Sequence, residues 1–239
     1  MQTRLNALGQ PVGPALPDWT PVARPPRTAM EGRRCRVEPI DPGRHGDALF
    51  AAFDADRDGG TFTYLGAGPF ADRAAFDAWM TKTCLGEDPL FHAIVDRASG
   101  RALGVASYMR IDPAVGVIEV GHINFSLAMQ RSALATEAMY LMMRRVFEEL
   151  GYRRYEWKCD SLNAPSRRAA EGFGFTYEGL FRQATVYRGR SRDTAWFSML
   201  DREWPSLRSA YEVWLAATNF DAAGHQRVAL GDLIRKLRD

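Results

Sequence analysis

The 239-residue sequence predicts an α+β fold, and two kinds of pattern support this. Three segments in which apolar and polar residues alternate follow one another at 90–96, 103–111 and 117–125. The turn pairs Ser99-Gly100 and Asp112-Pro113 lie between them, which is typical of an antiparallel meander. Segments with the 3.6-residue spacing of helices lie on either side of the meander. With 46% hydrophobic residues, the chain can form one good core.

The other elements follow from the same two periodicities. Before the meander we expect a strand at 35–40, a helix from Pro42, and a helical segment at 71–85 with Asp72 near its start. After the meander the pattern predicts, in order, a helix ending near Leu150, a strand at 152–159, a short helix at 163–172, and a hairpin of strands at 175–187 and 194–200. The element order is therefore β, α, α, β-β-β, α, β, α, β-β.

Both ends of the chain differ from this regular middle. Residues 1–33 form a Pro- and Gly-rich arm, and the prolines predict no regular structure over 1–30. Spaced apolar residues, among them Leu8, Trp19 and Val22, favour an arm that wraps over the domain rather than a free tail. The extension at 205–239 carries two helical patterns, 206–216 and 221–237, with Asn219 or Asp221 as the expected cap.

Composition and charge exclude several classes of protein. The net charge of +2 and the absence of a long Lys/Arg run argue against a nucleic-acid partner. No apolar run has transmembrane length and the N-terminus has no hydrophobic signal core, so we expect a soluble cytoplasmic protein without a membrane partner. The spacing of Cys35, Cys84 and Cys159 resembles no metal site; it predicts reduced, mostly buried thiols and no metal.

The segment 130–137 carries the most specific functional signal. It follows the predicted strand 117–125 and opens a helix, whose first turn has unbonded N–H groups and the positive end of the helix dipole. Small residues at Ser132, Ala133 and Ala135 allow a phosphate to approach that backbone. The pattern predicts a pyrophosphate site, although small residues at a helix start are also common for purely structural reasons.

This segment resembles the acyl-CoA loop of the GCN5-related N-acetyltransferases (GNAT), written Gln/Arg-x-x-Gly-x-Gly/Ala. Gln130, Ala133 and Ala135 take its three defined places; Ala133 departs from the usual Gly, and its Cβ narrows the approach and disfavours positive φ. The resemblance implies that a backbone N–H near 125–127 stabilises the oxyanion. It also implies that the cofactor is contacted by Phe125, Ser126, Leu127, Gln130, Arg131, Ser132, Ala133, Leu134, Ala135, Thr136, Asn163 and Arg168.

A second stretch, 163–175, is similar to the Asn-x-x-Ser-x-Arg…Glu-x-x-Gly-Phe stretch of the ribosomal-protein acetyltransferase branch. The resemblance implies that Asn163 contacts the pantetheine arm and that Ser166 lies near the CoA sulfur. Asn163 could equally be a helix N-cap, and the two roles are compatible. Many relatives have a Tyr general acid where this chain has Ala170, which leaves Ser166 as the candidate to protonate or hydrogen-bond the departing thiolate.

A candidate base lies on the preceding strand, where 118–122 resembles the Glu-Ile-Gly-Tyr segment of the same branch. Glu119 alternates with apolar neighbours and could accept the proton of the acceptor amine through water, or could be a solvent-facing strand charge. A base matters more for a Lys acceptor, with a pKa of about 10.4, than for an α-amine, with a pKa of about 8. His122 is the alternative base, but strand alternation points it to the opposite face from Glu119.

The resemblance extends over 34–204 and implies the GNAT fold, a mixed, mostly antiparallel central sheet with helices on both faces. It implies transfer of an acetyl group from the cosubstrate acetyl-CoA to a primary amine of a protein N-terminus or small molecule. The alternative is a catalytically silent acyl-CoA-binding module. The loop 62–70 and the turn 187–193 are the expected substrate side, with Tyr64 and Tyr187 as candidate contacts. A homodimer is left open.

Overall fold

The computed structural model describes residues 4–237 and contains an eight-stranded sheet. The strands, in chain order, are β1 (Arg4–Leu5), β2 (Pro11–Val12), β3 (Met30–Glu31), β4 (Cys35–Pro39), β5 (Leu90–Asp96), β6 (Ala102–Asp112), β7 (Val117–Phe125), β8 (Arg154–Asp160), β9 (Thr176–Tyr187) and β10 (Arg190–Leu200). The large sheet has the order β3-β4-β5-β6-β7-β8-β10-β9, and β1 and β2 pair separately. Within the large sheet, only β7 and β8 run parallel.

Helices cover both faces of this sheet, as the resemblance implied. They are α1 (Pro42–Asp54), α2 (Arg73–Trp79), α3 (Ala133–Arg144), α4 (Ala164–Gly172), α5 (Trp204–Leu215) and α6 (Leu230–Arg235). A π-helical turn extends α2 to Cys84 and another extends α3 to Glu149. The predicted start of α2 is confirmed, because the Asp72 carboxylate accepts the Ala75 N–H at 2.8 Å.

Two apolar cores lie on opposite sides of the sheet. On one side, Leu49 of α1 and Phe76 of α2 pack with Phe91 of β5. On the other side, α3 and α5 pack against the sheet through residues such as Met142 and Tyr211. Hydrophobic burial on both faces holds the central strands, whose inward-pointing residues are almost fully buried. The three cysteines are free and buried, as predicted.

The parallel pair β7 and β8 separates along its length. Its ladder runs from Val117↔Arg154 to Val120↔Trp157 and then ends, although both strands continue. At the same point β7 has a bulge, since Gly121 pairs with Ser107 and Asn124 with Val105. The edge of β7 that faces β8 is therefore unpaired from residue 121 onward, and a cleft opens between the two strands.

The chain termini differ from the predictions at two points. The segment 1–30, expected to lack regular structure, contains the short ladder of β1 and β2 and the start of β3. The predicted helix at 221–237 is wrong over its first half, because only Leu230–Arg235 is helical. Asp221 does not cap a helix; its carboxylate accepts the N–H groups of Ala223 and His225 and closes a local turn.

The arm lies against the turn between β6 and β7. Trp19 donates its indole N–H to the Ala114 carbonyl at 2.9 Å, and the Val22 N–H donates to the Pro113 carbonyl at 3.1 Å. Arg145 donates to the carbonyls of Thr28 and Ala29. Within residues 4–237, no helix has the length and apolar character needed to cross a membrane.

Candidate active site

The start of α3 presents free backbone donors beside the cleft. The Ser132 hydroxyl accepts the Ala135 N–H at 3.1 Å and caps the helix. In the described chain, the N–H groups of residues 131–134 have no hydrogen-bond acceptor. Positive φ falls on Arg131 (56°), whereas Ala133 is the first residue of the helix. The conformational objection to Ala133 therefore disappears, because this position does not need the freedom of Gly.

Two residues beside this turn, Gln130 and Ser126, make different hydrogen bonds. Gln130 donates from its side-chain amide to the Phe125 carbonyl at 3.0 Å and so braces the turn against the end of β7. The Ser126 N–H donates to the Leu103 carbonyl at 3.0 Å, so it is not available to an oxyanion. The Ser126 hydroxyl is buried and has no partner within residues 4–237, which leaves one polar group for a ligand to satisfy.

The second predicted element, α4, begins at the mouth of the cleft. The Asn163 side chain accepts the Ser166 N–H at 3.0 Å, so the N-cap interpretation is confirmed. The Ser166 hydroxyl accepts the indole N–H of Trp157 at 3.0 Å, and Trp157 is the last residue of β8 paired with β7. Ala170 is completely buried in the core, so position 170 offers no group to the cleft.

Glu119 lies in a buried ionic network. Its side chain is 3% exposed, so the interpretation as a solvent-facing charge is wrong. Arg110 Nη1 lies 2.7 and 2.8 Å from its two carboxylate oxygens, and Lys158 Nζ lies 2.8 Å from one of them. Lys158 also pairs with Glu156 at 2.7 Å. The carboxylate is therefore held by two cations, which compensate its loss of hydration.

The bulge in β7 changes the predicted orientation of His122. Ser107 pairs with Gly121 and thus shares a sheet face with Glu119, and its hydroxyl lies 2.9 Å from Nδ1 of His122. The His122 ring also lies 4.8 Å from that of Phe91. The expectation that His122 points away from Glu119 is wrong, because the extra residue and a φ of 49° turn its side chain to the same face.

His122 is suited to be neutral at physiological pH. Burial lowers the pKa of its imidazole below the usual 6.5, and the charge of Arg110 lowers it further. Within the described chain its Nε2 has no hydrogen-bond partner, while Nδ1 faces Ser107. The arrangement leaves one imidazole nitrogen free to accept a proton.

The two predicted substrate segments meet over the end of β8. The Tyr187 hydroxyl donates to the Asp160 carboxylate at 2.8 Å, and the Tyr64 hydroxyl donates to the Leu162 carbonyl at 3.2 Å. Arg188, at the hairpin turn, donates to the carbonyls of Ala67 and Gly68 in the aromatic loop. Both candidate tyrosines therefore lie near the open end of the cleft.

Sequence reasoning missed three polar residues of this face. Lys158 and Asp160 alternate with apolar residues along β8. The Arg110 side chain donates to the Glu119 carboxylate. Asp160 is 4% exposed. A period-two polar pattern in a strand between two others predicts a polar sheet face, and this signal could have identified the β8 residues. We call Glu119, His122, Lys158 and Asp160 the polar wall.

Comparison with known proteins agrees with this geometry. The profile of the family described as "Acetyltransferase (GNAT) domain" matches residues 34–176. A solved GCN5-related N-acetyltransferase from Brucella melitensis has 51% identity and a TM-score of 0.90, covering 92% of this chain and 100% of that one. A "probable acetyltransferase (GNAT family)" from Chromobacterium violaceum has 44% identity and a TM-score of 0.76, covering 82% and 98%.

One curated relative matches over a shorter stretch. The "Uncharacterized N-acetyltransferase p20" of Bacillus licheniformis is 28% identical over 112 residues, which are 47% of this chain and 62% of that protein. Sheet order, cleft and helix position define an acetyltransferase-type α+β domain. The chain belongs to the GNAT family of acetyltransferases.

Proposed function

We propose that this protein transfers an acetyl group from acetyl-CoA to a primary amine of a protein N-terminus or small molecule, by direct attack of the amine on the thioester. The observation that carries the proposal is the juxtaposition of free N–H groups at 131–134 with the polar wall, of which Glu119 and Asp160 are buried, across the cleft between β7 and β8. The first suits a pyrophosphate and the second suits a reacting amine.

The residues beside the cleft fit acetyl-CoA, which supplies the activated acyl group. The N–H groups of 131–134 and the small side chains of Ser132, Ala133 and Ala135 would hold the pyrophosphate, with Arg131 and Arg168 exposed for its charge. Asn163 and the unpaired edge of β7 would contact the pantetheine arm. Since the Ser126 N–H is bonded to Leu103, the oxyanion donor is proposed to be Phe125 or Leu127.

Removal of the amine proton is assigned to the polar wall. Glu119 is the first candidate, because it is a carboxylate on the face that the amine approaches. Its carboxylate is already paired with Arg110 and Lys158, whereas His122 has a nitrogen without a described partner on the same face. We therefore propose Glu119 and His122 as the groups through which the proton leaves, with single variants to assign the base.

Ser166 is the proposed partner of the departing thiolate. Its hydroxyl accepts a bond from Trp157 and also contacts the Cys159 thiol, so its proton would turn from that thiol to the departing thiolate. A CoA-like thiol has a pKa near that of Cys, about 8.5, so a weak donor is sufficient.

A silent acyl-CoA-binding module is the second candidate, and the buried Ala170 favours it because no tyrosine acid is present. One experiment separates the two: acetyl-CoA is incubated with a panel of amines and peptides, and free thiol and acetylated product are measured by absorbance and mass spectrometry. Amine-dependent thiol release with acetylated product supports the enzyme. Binding of acetyl-CoA without turnover on any acceptor supports the module and contradicts the enzyme.

A further inference from the structure

Arg192 on β10 differs from Arg110 on β6 and Arg154 on β8. Arg110 pairs with Glu119, and Arg154 pairs with Glu156 and Glu178. Within residues 4–237, Arg192 has no carboxylate within 4.0 Å, and its Nε is buried without a hydrogen-bond partner. A buried guanidinium N–H without an acceptor is costly, so the anion of a ligand is expected to accept from it.

The side chain of Tyr187 connects Arg192 with Asp160. The guanidinium lies 5.8 Å from the centre of the Tyr187 ring. The Tyr187 hydroxyl donates to Asp160 at 2.8 Å, and the Leu162 N–H donates to the same carboxylate at 2.8 Å. Tyr187 therefore contacts both an acidic and a basic side chain. Two opposite charges kept apart in one site are complementary to a ligand that carries both.

The positions along the strands limit the size of that ligand. Thr194 pairs with Asp160, and Arg192 lies two residues before Thr194 on β10. Two residues of a strand span about 7 Å, so a ligand that reaches both side chains is small. Tyr64 closes the same region from the aromatic loop, where its hydroxyl is bonded to Leu162.

We infer that the acceptor is a small amine that also bears an anionic group, a carboxylate or a phosphate. Arg192 would bind the anion, and Asp160 would attract the amine as an ammonium before its proton leaves through Glu119 or His122. This inference rests on the proposed acetyl transfer and narrows its substrate. It disfavours a protein N-terminus, because a peptide has a neutral amide where the anion is required. Arg192 is then a specificity residue and takes no part in the proton transfer.

The test uses acceptors that differ only in the anion: L-amino acids against their carboxamides, and O-phosphoethanolamine against ethanolamine. We expect kcat/KM to be about tenfold or more higher for the anionic member of at least one pair, as a hydrogen bond to a charged group allows. Arg192→Gln should remove that difference by slowing the anionic acceptor alone. The carboxylate and phosphate pairs identify which anion is bound.

Arg182→Gln is the matched control, since Arg182 is an exposed arginine of the same hairpin outside the turn 187–193. It should leave both acceptors unchanged, and both variants should bind acetyl-CoA as the wild type does. Equal turnover of charged and neutral acceptors, or an equal loss of both in Arg192→Gln, would overturn the inference while acetyl transfer itself stands.

A second readout does not depend on turnover. Calorimetric titration of the anionic amines into the CoA-bound protein should show binding that Arg192→Gln loses and Arg182→Gln retains. If no amine is acetylated, the proposed function fails, yet this binding would still support the anion site. If no anionic amine binds or reacts, the anion site is refuted.

Discussion

The two sides of the cleft are built by different means. At the start of α3, the binding groups are backbone N–H groups and small side chains from one continuous segment. Across the cleft, the polar wall collects charged side chains from β7 and β8, held by Arg110 of β6. A backbone site of the first kind recognises a feature common to all acyl-CoA molecules. In the proposed function, the wall selects the acceptor and takes its proton.

The two sides also differ in how substitutions should affect them. Removing one partner of a buried ion pair typically costs about 3–5 kcal/mol, so changes in the wall endanger both stability and chemistry. Lys158 is in part protected, because it contacts Glu156 as well as Glu119. At the α3 start, exposed side chains such as Arg131 make no such network. Variants can therefore separate cofactor binding from catalysis.

The largest effect is expected from Glu119→Gln, which keeps the shape of the side chain but removes its charge. If Glu119 takes the amine proton, turnover near pH 7 should fall about 10²–10⁴-fold, and the deficit should shrink at high pH as neutral amine accumulates. Steady-state kinetics measures this. His122→Gln is the matched variant: a larger loss there, with wild-type turnover in Glu119→Gln, would assign the proton to His122.

In the pH profile we expect kcat/KM to fall about tenfold for each pH unit below the pKa of the acceptor amine. Protonation of an α-amine with a pKa of about 8 gives log kcat/KM a slope of about 1 below that value. Because the His122 pKa lies below 6.5, its protonation should steepen the slope toward 2 only in the acidic range, as pH falls through the lowered pKa.

The same profile in His122→Gln should keep a slope of about 1 throughout. The affinity for acetyl-CoA, measured by titration at each pH, should change with neither the protonation of the amine nor that of His122, since the α3 start has no histidine. A slope of 1 in the wild type down to the acid-unfolding limit would remove His122 from the proton path.

The contrast between the two sides also explains what the sequence could predict. The α3 start is local, so one stretch of sequence from Gln130 to Thr136 contains it, and its cap and helix follow from Ser132. The wall depends on register: a single extra residue in β7 reverses His122, and the partners of Glu119 lie 9 and 39 positions away. Nothing local in the sequence encodes such a bulge or those pairings. The failure at 221–237 is different, because the turn that Asp221 closes with Ala223 and His225 is local and prevailed over helical spacing.

The smallest expected effect is that of Ser166→Ala. Its hydroxyl is not the helix cap, which Asn163 supplies, so the free energy of unfolding should fall by about 1 kcal/mol or less. If the hydroxyl serves the departing thiolate, turnover should drop while the stabilisation by acetyl-CoA persists. Loss of both would make Ser166 a part of the cofactor site only, and loss of neither would leave the thiolate to depart unaided.

The most direct test of the division between the two sides is the dissociation constant of acetyl-CoA, measured by calorimetry in wild type, Ala135→Glu and Glu119→Gln. Ala135 is 5% exposed in the first turn of α3, so a Glu there displaces its neighbours at the helix start and adds negative charge beside the pyrophosphate site. Binding should be abolished in a variant that circular dichroism shows to be folded. Glu119→Gln should bind within about twofold of wild type, because separate sites without shared partners act additively. Wild-type affinity in Ala135→Glu, or loss of binding in Glu119→Gln, would contradict the account.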